Sequence, residues 1–298
     1  MTSITDPRGP WGPLAEPLHT SLQLAPDSLP WRENSFFCCF DREQRFYCTA
    51  HIQGGLNARG MWARCSIVLD GRCWEVFEPL APMEVSTPGI HFDLAGRMAV
   101  KSHEFELDIS FRPIHEPASY SQANVLPGLS DTEVLQHFQQ GGTFEGTVSV
   151  GSTSRRIAGR ALRDRTWGYR EEISTWTAYY ATFLCFPNFD MTFMKIAVRD
   201  RDVPAHGFLI GAPTATIIGS TVTRRDPWGA ITQVELDLEG GDSLRLSLGR
   251  PEARIFVPLN DPQGPAALTA YDDFIEVRTG DGAVGFGIME QGILRQQT

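Results

Sequence analysis

The nine residues from Arg163 to Glu171 combine three arginines, an aspartate, a glutamate, a tryptophan and a tyrosine. A carboxylate between two guanidinium groups, next to a large aromatic ring and a glycine, is typical of a buried polar network rather than of a solvated surface. A buried carboxylic acid held protonated near neutral pH can act as a general acid, and an ionised one can act as a general base. Asp164 is therefore the first candidate for catalysis.

Two roles remain open for Asp164. Neighbouring side chains in a strand point to opposite faces, so Arg163 and Arg165 need not contact its carboxyl group. In the first role, the aspartate serves as the acid or base toward a substrate that lies in a pocket. In the alternative role it forms a structural ion pair that pins its strand to a neighbouring domain.

A second set of candidates lies on the aromatic strand that follows. Alternation puts Tyr180 with Trp176 on one face of that strand and Tyr179 with Phe183 on the other. A tyrosine hydroxyl in a pocket is a suitable hydrogen-bond partner for a substrate oxygen. We therefore expect a catalytic role for Tyr180 and substrate contacts for Trp176 and Tyr179. Ordinary packing of both tyrosines inside a barrel is the alternative.

Four further residues complete the candidate site. Trp167 can form a pocket wall or stabilise positive charge with its ring face, or it can be a core tryptophan. Arg170, beside Glu171, can contact a substrate or form a structural pair. Glu33 precedes an apolar strand and is a catalytic candidate, with a solvated strand end as the alternative. His51 lies on an apolar strand, as a substrate contact or as a core histidine.

Composition excludes several classes of protein. The 298 residues suffice for two domains, and the net charge of −10 without basic stripes argues against a nucleic-acid partner. The sequence contains no run of about eighteen apolar residues, so we predict no transmembrane segment. No secretory signal opens the chain, and its six cysteines contain no CxxC, so we predict a cytoplasmic protein with buried thiols. The spacing of the histidines and cysteines does not fit a metal site. The GxGxxG run at 280–285 fits a hairpin turn rather than a dinucleotide site, so we predict no cofactor.

The elements that must position these residues read as β-strands. Short apolar alternations recur along the chain, and Asp70-Gly71 between two apolar runs predicts a hairpin. One segment, 130–140, has an N-cap serine, acidic residues in its first turn and glycines after its end, which predicts a helix. The predicted organisation is listed by range: an extended N-terminal arm at 1–30, a first β-domain at 31–128, a helical linker at 129–142 and a second β-domain at 143–298.

The run from Arg160 to Arg170 resembles a motif of the calycin-like superfamily that includes AttH-like proteins, carotenoid 1,2-hydratases and lipocalin-like Diels–Alderases. Those proteins carry Asp-His-x-Trp-Gly at the start of their second barrel. Asp164 matches the family aspartate, and Trp167 and Gly168 match its Trp-Gly pair. Arg165 stands where many members have histidine. If that histidine moves a proton in those members, this protein must use another group for the same step. The segment 30–37 also looks like the opening of the first barrel in bacterial members.

The resemblance implies an all-β fold with two lipocalin-like antiparallel β-barrels or sandwiches, joined here by the predicted short helix, and an apolar pocket. It implies a cofactor-independent lyase, isomerase or cyclase with hydratase- or cyclase-type proton transfer. The substrate would be a hydrophobic small molecule, of isoprenoid (terpenoid) or polyketide type, from secondary metabolism. The alternative is a non-catalytic binding or carrier protein for an apolar ligand. The sequence indicates neither the exact substrate nor the oligomeric state.

Overall fold

The computed structural model describes residues 31–54, 61–81, 84–93, 96–120, 136–169, 176–198, 204–211, 214–258 and 266–296. The chain divides into two compact units, 1–171 and 172–298. Every regular element among the described residues is a β-strand, so the predicted all-β class with two lipocalin-like β-units is confirmed. Within these ranges, no helix has the length and apolar character needed to cross a membrane.

The first unit is one ten-stranded antiparallel sheet. Its strands are β1 (Trp31–Asp41), β2 (Phe46–Gly54), β3 (Trp62–Leu69), β4 (Arg72–Pro79), β5 (Ile90–Phe92), β6 (Arg97–Lys101), β7 (Phe105–Pro113), β8 (Ala118–Ser119), β9 (Gln136–Val150) and β10 (Thr153–Tyr169). Their order is β4-β3-β2-β1-β10-β9-β7-β6-β5, with β8 attached to β9.

Side-chain alternation gives this sheet two distinct faces. In β7, buried and exposed residues alternate along the strand, and its buried side chains pack into one apolar core with Phe37, Ile67 and Phe144. We call the face that carries this core the inner face, and the opposite one the outer face. The predicted hairpin at Asp70-Gly71 joins β3 to β4, and positive φ angles of 51° and 78° at these two residues fit the tight turn type that favours Asp-Gly.

The second unit is a closed barrel of eight antiparallel strands. They are β11 (Trp176–Cys185), β12 (Phe189–Val198), β13 (His206–Gly211), β14 (Ala215–Arg225), β15 (Ile231–Leu238), β16 (Ser243–Pro258), β17 (Ala266–Thr279) and β18 (Val284–Gln296). Leu184, Phe193, Leu236 and Met289 belong to the apolar cluster in its interior. The GxGxxG run forms the turn between β17 and β18, as predicted.

The predicted helical linker at 129–142 is wrong over residues 136–142, which belong to β9; the rest of that segment lies outside the described residues. Local capping signals favoured a helix, but pairing with β7 and β10 on either side decides the strand. The expected start of the second domain at 143 also differs from the structure, because β9 and β10 complete the sheet of the first unit. The predicted arm at 1–30 lies outside the described residues.

Five of the six cysteines are buried free thiols, as the sequence analysis expected, whereas Cys73 is exposed. Burial raises the pKa of the Cys39 and Cys48 thiols. These thiols therefore stay protonated and pack as small apolar side chains.

Candidate functional site

The two sequence motifs that carry the resemblance are hydrogen-bonded neighbours in one sheet. Strand β1 pairs with β10 in antiparallel register, so Phe36 lies opposite Asp164 and Phe37 opposite Arg163. The aspartate motif therefore lies on the last strand, in chain order, of the first unit. It does not start the second barrel. On the other side of β10, strand β9 places Gln139 opposite Asp164.

Arg163 points to the inner face, away from Asp164. Its side chain is almost fully buried, and its guanidinium donates two hydrogen bonds, of 3.0 and 2.8 Å, to Oε1 of Gln140. The guanidinium carbon also lies 5.4 Å from the centre of the Phe111 ring. Burial lowers the pKa of Arg163 to about 9, against an opposing effect of the Asp93 charge. Arg163 is therefore held within the apolar core.

Arg165 and Trp167 share the inner face with Arg163. The Arg165 guanidinium carbon lies 5.0 Å from the centre of the Trp167 ring, and that ring stacks on Phe138 at 5.4 Å. Both side chains are buried. The structure thus places Trp167 on the opposite side of β10 from Asp164.

Asp164 lies on the outer face and meets an imidazole there. Nε2 of His137 lies 3.1 Å from Oδ2 of Asp164, and Nε2 of Gln139 donates to the same oxygen at 3.0 Å. The Tyr120 hydroxyl in turn donates to Oε1 of Gln139 at 3.0 Å, which fixes the orientation of that amide. Oδ2 of Asp164 therefore accepts a hydrogen bond from the Gln139 amide and lies close to the His137 imidazole.

The second ring nitrogen of His137 completes this arrangement. Nδ1 is hydrogen-bonded to the Thr166 hydroxyl, and the Tyr120 ring packs edge-on against the imidazole at 4.8 Å between centres. The Thr166 hydroxyl can donate to Nδ1 or accept from it, so this contact fits either tautomer of the ring. A carboxyl group and an imidazole in contact can exchange a proton. We call Asp164 and His137 the outer-face dyad.

The dyad is buried but accessible. The side chain of Asp164 keeps 10% of its surface exposed and that of His137 keeps 5%. In this largely dry setting, charge on either partner interacts more strongly than it would in water.

An aromatic row runs across the outer face from the dyad. It consists of Phe36, His51, Trp62 and Phe77, on strands β1 to β4, with ring centres 5.0 to 6.1 Å apart along the row. Phe36 and His51 are half-buried, Trp62 is buried, and Phe77 is 51% exposed. Three strand spacings separate β1 from β4, so the row extends for about 14 Å. It offers a wall for an apolar ligand beside the carboxyl group.

The two tyrosines lie in the second unit. Tyr180 points into the barrel, where its hydroxyl is hydrogen-bonded to the Ser220 hydroxyl and its ring packs edge-on against Phe193. Tyr179 occupies the opposite face of β11, and its hydroxyl oxygen is buried. Both residues line a cavity of about 300 Å³ together with Lys195.

The remaining candidates lie at the limits of the described ranges. Glu33 is in β1, in register with Trp167, and Trp176 is the first residue of β11; their side chains are not among those described. Arg170 lies outside the described residues. Among the predicted site residues, the outer face of the first unit thus carries Asp164 and His51.

Sequence analysis missed His137, Gln139 and Tyr120. His137 and Gln139 are two residues apart, which puts them on one face of a strand, and this spacing was the available signal. The helix prediction for 130–140 concealed it. Within the described part of the chain, no group of three or more His, Cys, Asp or Glu residues has the geometry of a metal site.

Comparisons with solved structures identify the same fold. Kievitone hydratase from Nectria haematococca matches with a TM-score of 0.63 at 15% identity, over 94% of each chain. An AttH-type protein from Nitrosomonas europaea matches with a TM-score of 0.65 at 11% identity, over 93% of this chain and 98% of the other. CghA, also solved with Sch210972, matches with a TM-score of 0.65 at 12% identity, over 95% and 96% of the two chains.

The resemblance to AttH-like proteins stated from the motif is therefore confirmed at the level of the fold. A search of curated protein sequences gives no match. A family model covers residues 18–293, nearly the whole chain. The chain belongs to the family described as domain of unknown function DUF7064.

Proposed function

We propose that this protein is a cofactor-independent lyase, isomerase or cyclase that moves a proton on a hydrophobic small molecule. The observation that carries the proposal is the outer-face dyad, with Nε2 of His137 at 3.1 Å from Oδ2 of Asp164. His137 supplies an imidazole beside Asp164, whereas Arg165, which stands where the motif has histidine, lies on the opposite face of β10. One of the fold neighbours is named a hydratase, kievitone hydratase, and this agrees with the hydratase-type chemistry proposed here.

The carboxyl group of Asp164 exchanges the proton with the substrate, and His137 holds or returns it. Such positioned acid–base groups contribute roughly a hundred- to ten-thousand-fold to a rate. Gln139 and Tyr120 act as positioning residues, because they orient the carboxyl group through a hydrogen-bond chain of 3.0 Å at each step.

The aromatic row sets the class of substrate. Phe36 lies directly opposite Asp164 in the β1–β10 register, and Trp62 and Phe77 continue the apolar surface. Faces of this kind bind flat or chain-like apolar molecules, including isoprenoids and polyketides, and stabilise positive charge that develops in them. Holding a flexible chain against the wall in a reactive shape adds to the acceleration.

The test uses the full chain with a lipid-soluble extract of its source cells. Mass spectrometry records which compounds stay bound and which are converted, for wild type, Asp164→Asn and Asp41→Asn. Asp41 is the matched control, because it is a buried carboxylate of the same sheet that accepts backbone hydrogen bonds from Gln44 and Ala158.

Conversion by wild type and Asp41→Asn, with loss in Asp164→Asn, supports the proposal. Full conversion by Asp164→Asn contradicts the assigned role of the dyad. A compound retained by all three proteins without conversion identifies a carrier for an apolar ligand.

A further inference from the structure

A tryptophan occupies the turn between β14 and β15. Trp228 is 93% exposed, whereas the next most exposed large apolar side chain of the described residues, Phe77, is 51% exposed. Single exposed apolar side chains are ordinary, but a tryptophan left almost wholly in solvent presents roughly 150–250 Å² of mostly apolar surface. At this exposure the ring adds little to the packing of the barrel.

Hydrogen bonds hold the backbone of this turn in one conformation. Oδ1 of Asp226 accepts from the backbone N–H groups of Trp228 and Ala230, each at 2.9 Å. The Gly229 N–H donates to the Asp226 carbonyl at 3.0 Å, and the Asp226 N–H donates to the Ala230 carbonyl at 2.9 Å. Gly229 has a φ angle of 87°, which favours glycine. A turn that is already ordered loses little conformational entropy when a partner binds its tip.

Two exposed arginines directly precede the turn. Nη1 of Arg225 donates to the Gly229 main-chain carbonyl at 2.7 Å, so its positive charge is held against the turn that carries Trp228. Arg224 is exposed as well. The Asp226 carboxylate already accepts two backbone hydrogen bonds. The turn thus combines an exposed aromatic ring with positive charge.

A second exposed ring lies at the same end of the barrel. Because β14, β15 and β16 are consecutive antiparallel strands, the β14–β15 turn and the last residues of β16 share one end. There Phe256 is 47% exposed and packs against Tyr271, with ring centres 5.7 Å apart. The Arg254 guanidinium carbon lies 5.5 Å from the centre of the Tyr271 ring. The pKa of Arg254 is raised by its hydrogen bond to Asp273 and further by the charge of Asp226, which places the turn near these rings.

We propose that this end of the second barrel docks reversibly on the surface of a membrane that contains anionic lipids. Indole rings favour the headgroup level of a bilayer, where the ring is shielded from water and its N–H finds acceptors. Arginines are attracted to anionic headgroups. The docking goes beyond the proposed reaction and does not depend on the outer-face dyad.

The small apolar area favours a bilayer over a protein partner. One tryptophan and half of a phenylalanine offer much less than the roughly 800 Å² per partner that a stable protein interface buries. A fluid bilayer needs no matching surface. A small apolar insertion together with positive charge is sufficient for weak, reversible attachment.

The test is co-sedimentation of the full-length protein with vesicles of phosphatidylcholine alone and of equal parts phosphatidylcholine and phosphatidylserine. Wild type should bind the mixed vesicles more tightly than the neutral ones, and added salt should weaken that binding. Trp228→Ser should weaken binding to the mixed vesicles at least about tenfold, because the inserted ring is removed. Arg224→Gln should weaken it about fivefold, the effect of one charge near an anionic surface.

Two matched controls lie toward the opposite end of the same barrel. Ile218→Ser removes an exposed apolar side chain in the first half of β14, and Arg278→Gln removes an exposed arginine beside the β17–β18 turn. Both variants should bind the mixed vesicles as wild type does. Asp164→Asn should do so too, which separates the docking from the proposed reaction. Thermal unfolding of each variant verifies that it is folded.

Absence of binding to the mixed vesicles overturns the proposal. Wild-type binding by Trp228→Ser overturns it as well. So does an equal loss in Arg224→Gln and Arg278→Gln, because the attraction would then be a general effect of charge. If the vesicles are not bound and sedimentation velocity shows a dimer that Trp228→Ser dissociates, the turn is a contact between two copies of the chain instead.

Discussion

The two faces of β10 place a buried charged side chain in different surroundings. On the inner face, Arg163 is enclosed by the core. Its guanidinium is hydrogen-bonded to the Gln140 amide oxygen and lies over the Phe111 ring. On the outer face, one residue further along, Asp164 contacts an imidazole and keeps some accessible surface. Strand alternation thus separates a guanidinium group packed in the core from the carboxyl group to which the proposed function assigns proton transfer.

The largest effect on stability should come from the inner face. Arg163→Ala leaves a cavity in the core and should lower the free energy of unfolding by about 3 to 5 kcal/mol. Arg163→Met fills similar volume and removes a desolvated charge, so it should change stability by less than about 1.5 kcal/mol. Urea denaturation of both variants measures the difference. Similar losses in the two variants would show that the charge itself, rather than the packing, is required.

The next effect should come from the aromatic row on the outer face. Phe36→Ala should raise KM about tenfold for the compound converted in the extract, with a smaller change in kcat, because the ring contacts bound ligand. Phe77→Ala, at the exposed end of the row, should raise KM less than about threefold. Steady-state kinetics measures both constants. Equal effects of the two substitutions would contradict a ligand seated beside Asp164.

A smaller effect should appear in the pH dependence of stability, through the titration of Arg163 on the inner face. The pKa of Arg163 is lowered to about 9 in the folded protein, below its value in the unfolded chain, so the unfolded state binds more protons above pH 9. Wild type should therefore gain about 1 kcal/mol of stability relative to Arg163→Met between pH 9 and pH 10. Below about pH 8 the difference should be constant. Urea denaturation across this range measures it, and a flat difference up to pH 10 would show that Arg163 keeps its proton.

The smallest effect should come from a pair outside both buried networks. Arg155, near the start of β10, contacts Asp70 in the β3–β4 turn at 2.5 Å, and this hydrogen bond lowers the pKa of Asp70. The lowered pKa means that the stabilisation is present above the unfolded pKa and is lost as pH falls toward the folded one. Arg155→Met should therefore unfold only slightly more easily at pH 7 in low salt. Salt should reduce the difference further. Thermal unfolding at two salt concentrations tests this, and a difference that grows with salt would contradict a surface ion pair.

The sequence predicted the class of fold, and the separation of Asp164 from Arg163, for physical reasons that are local. Alternation and the Asp70-Gly71 turn depend on neighbouring residues, and so does the opposite orientation of Arg163 and Asp164. His137 could not be assigned in the same way. Its segment carries strong capping signals for a helix, and the pairing of β9 with β7 and β10 is non-local. The partner of Asp164 thus became visible only with the register of the sheet.

The central claim is that Asp164 and His137 act as one proton-transfer unit. The most direct measurement is kcat for Asp164→Asn, His137→Gln and the double variant, on the compound converted in the extract. Each single variant should lose roughly a hundred- to ten-thousand-fold, and the double variant should lose little more, because either change already disables the unit. A double variant whose loss equals the product of the two single losses, or an Asp164→Asn protein with wild-type kcat, would contradict the account.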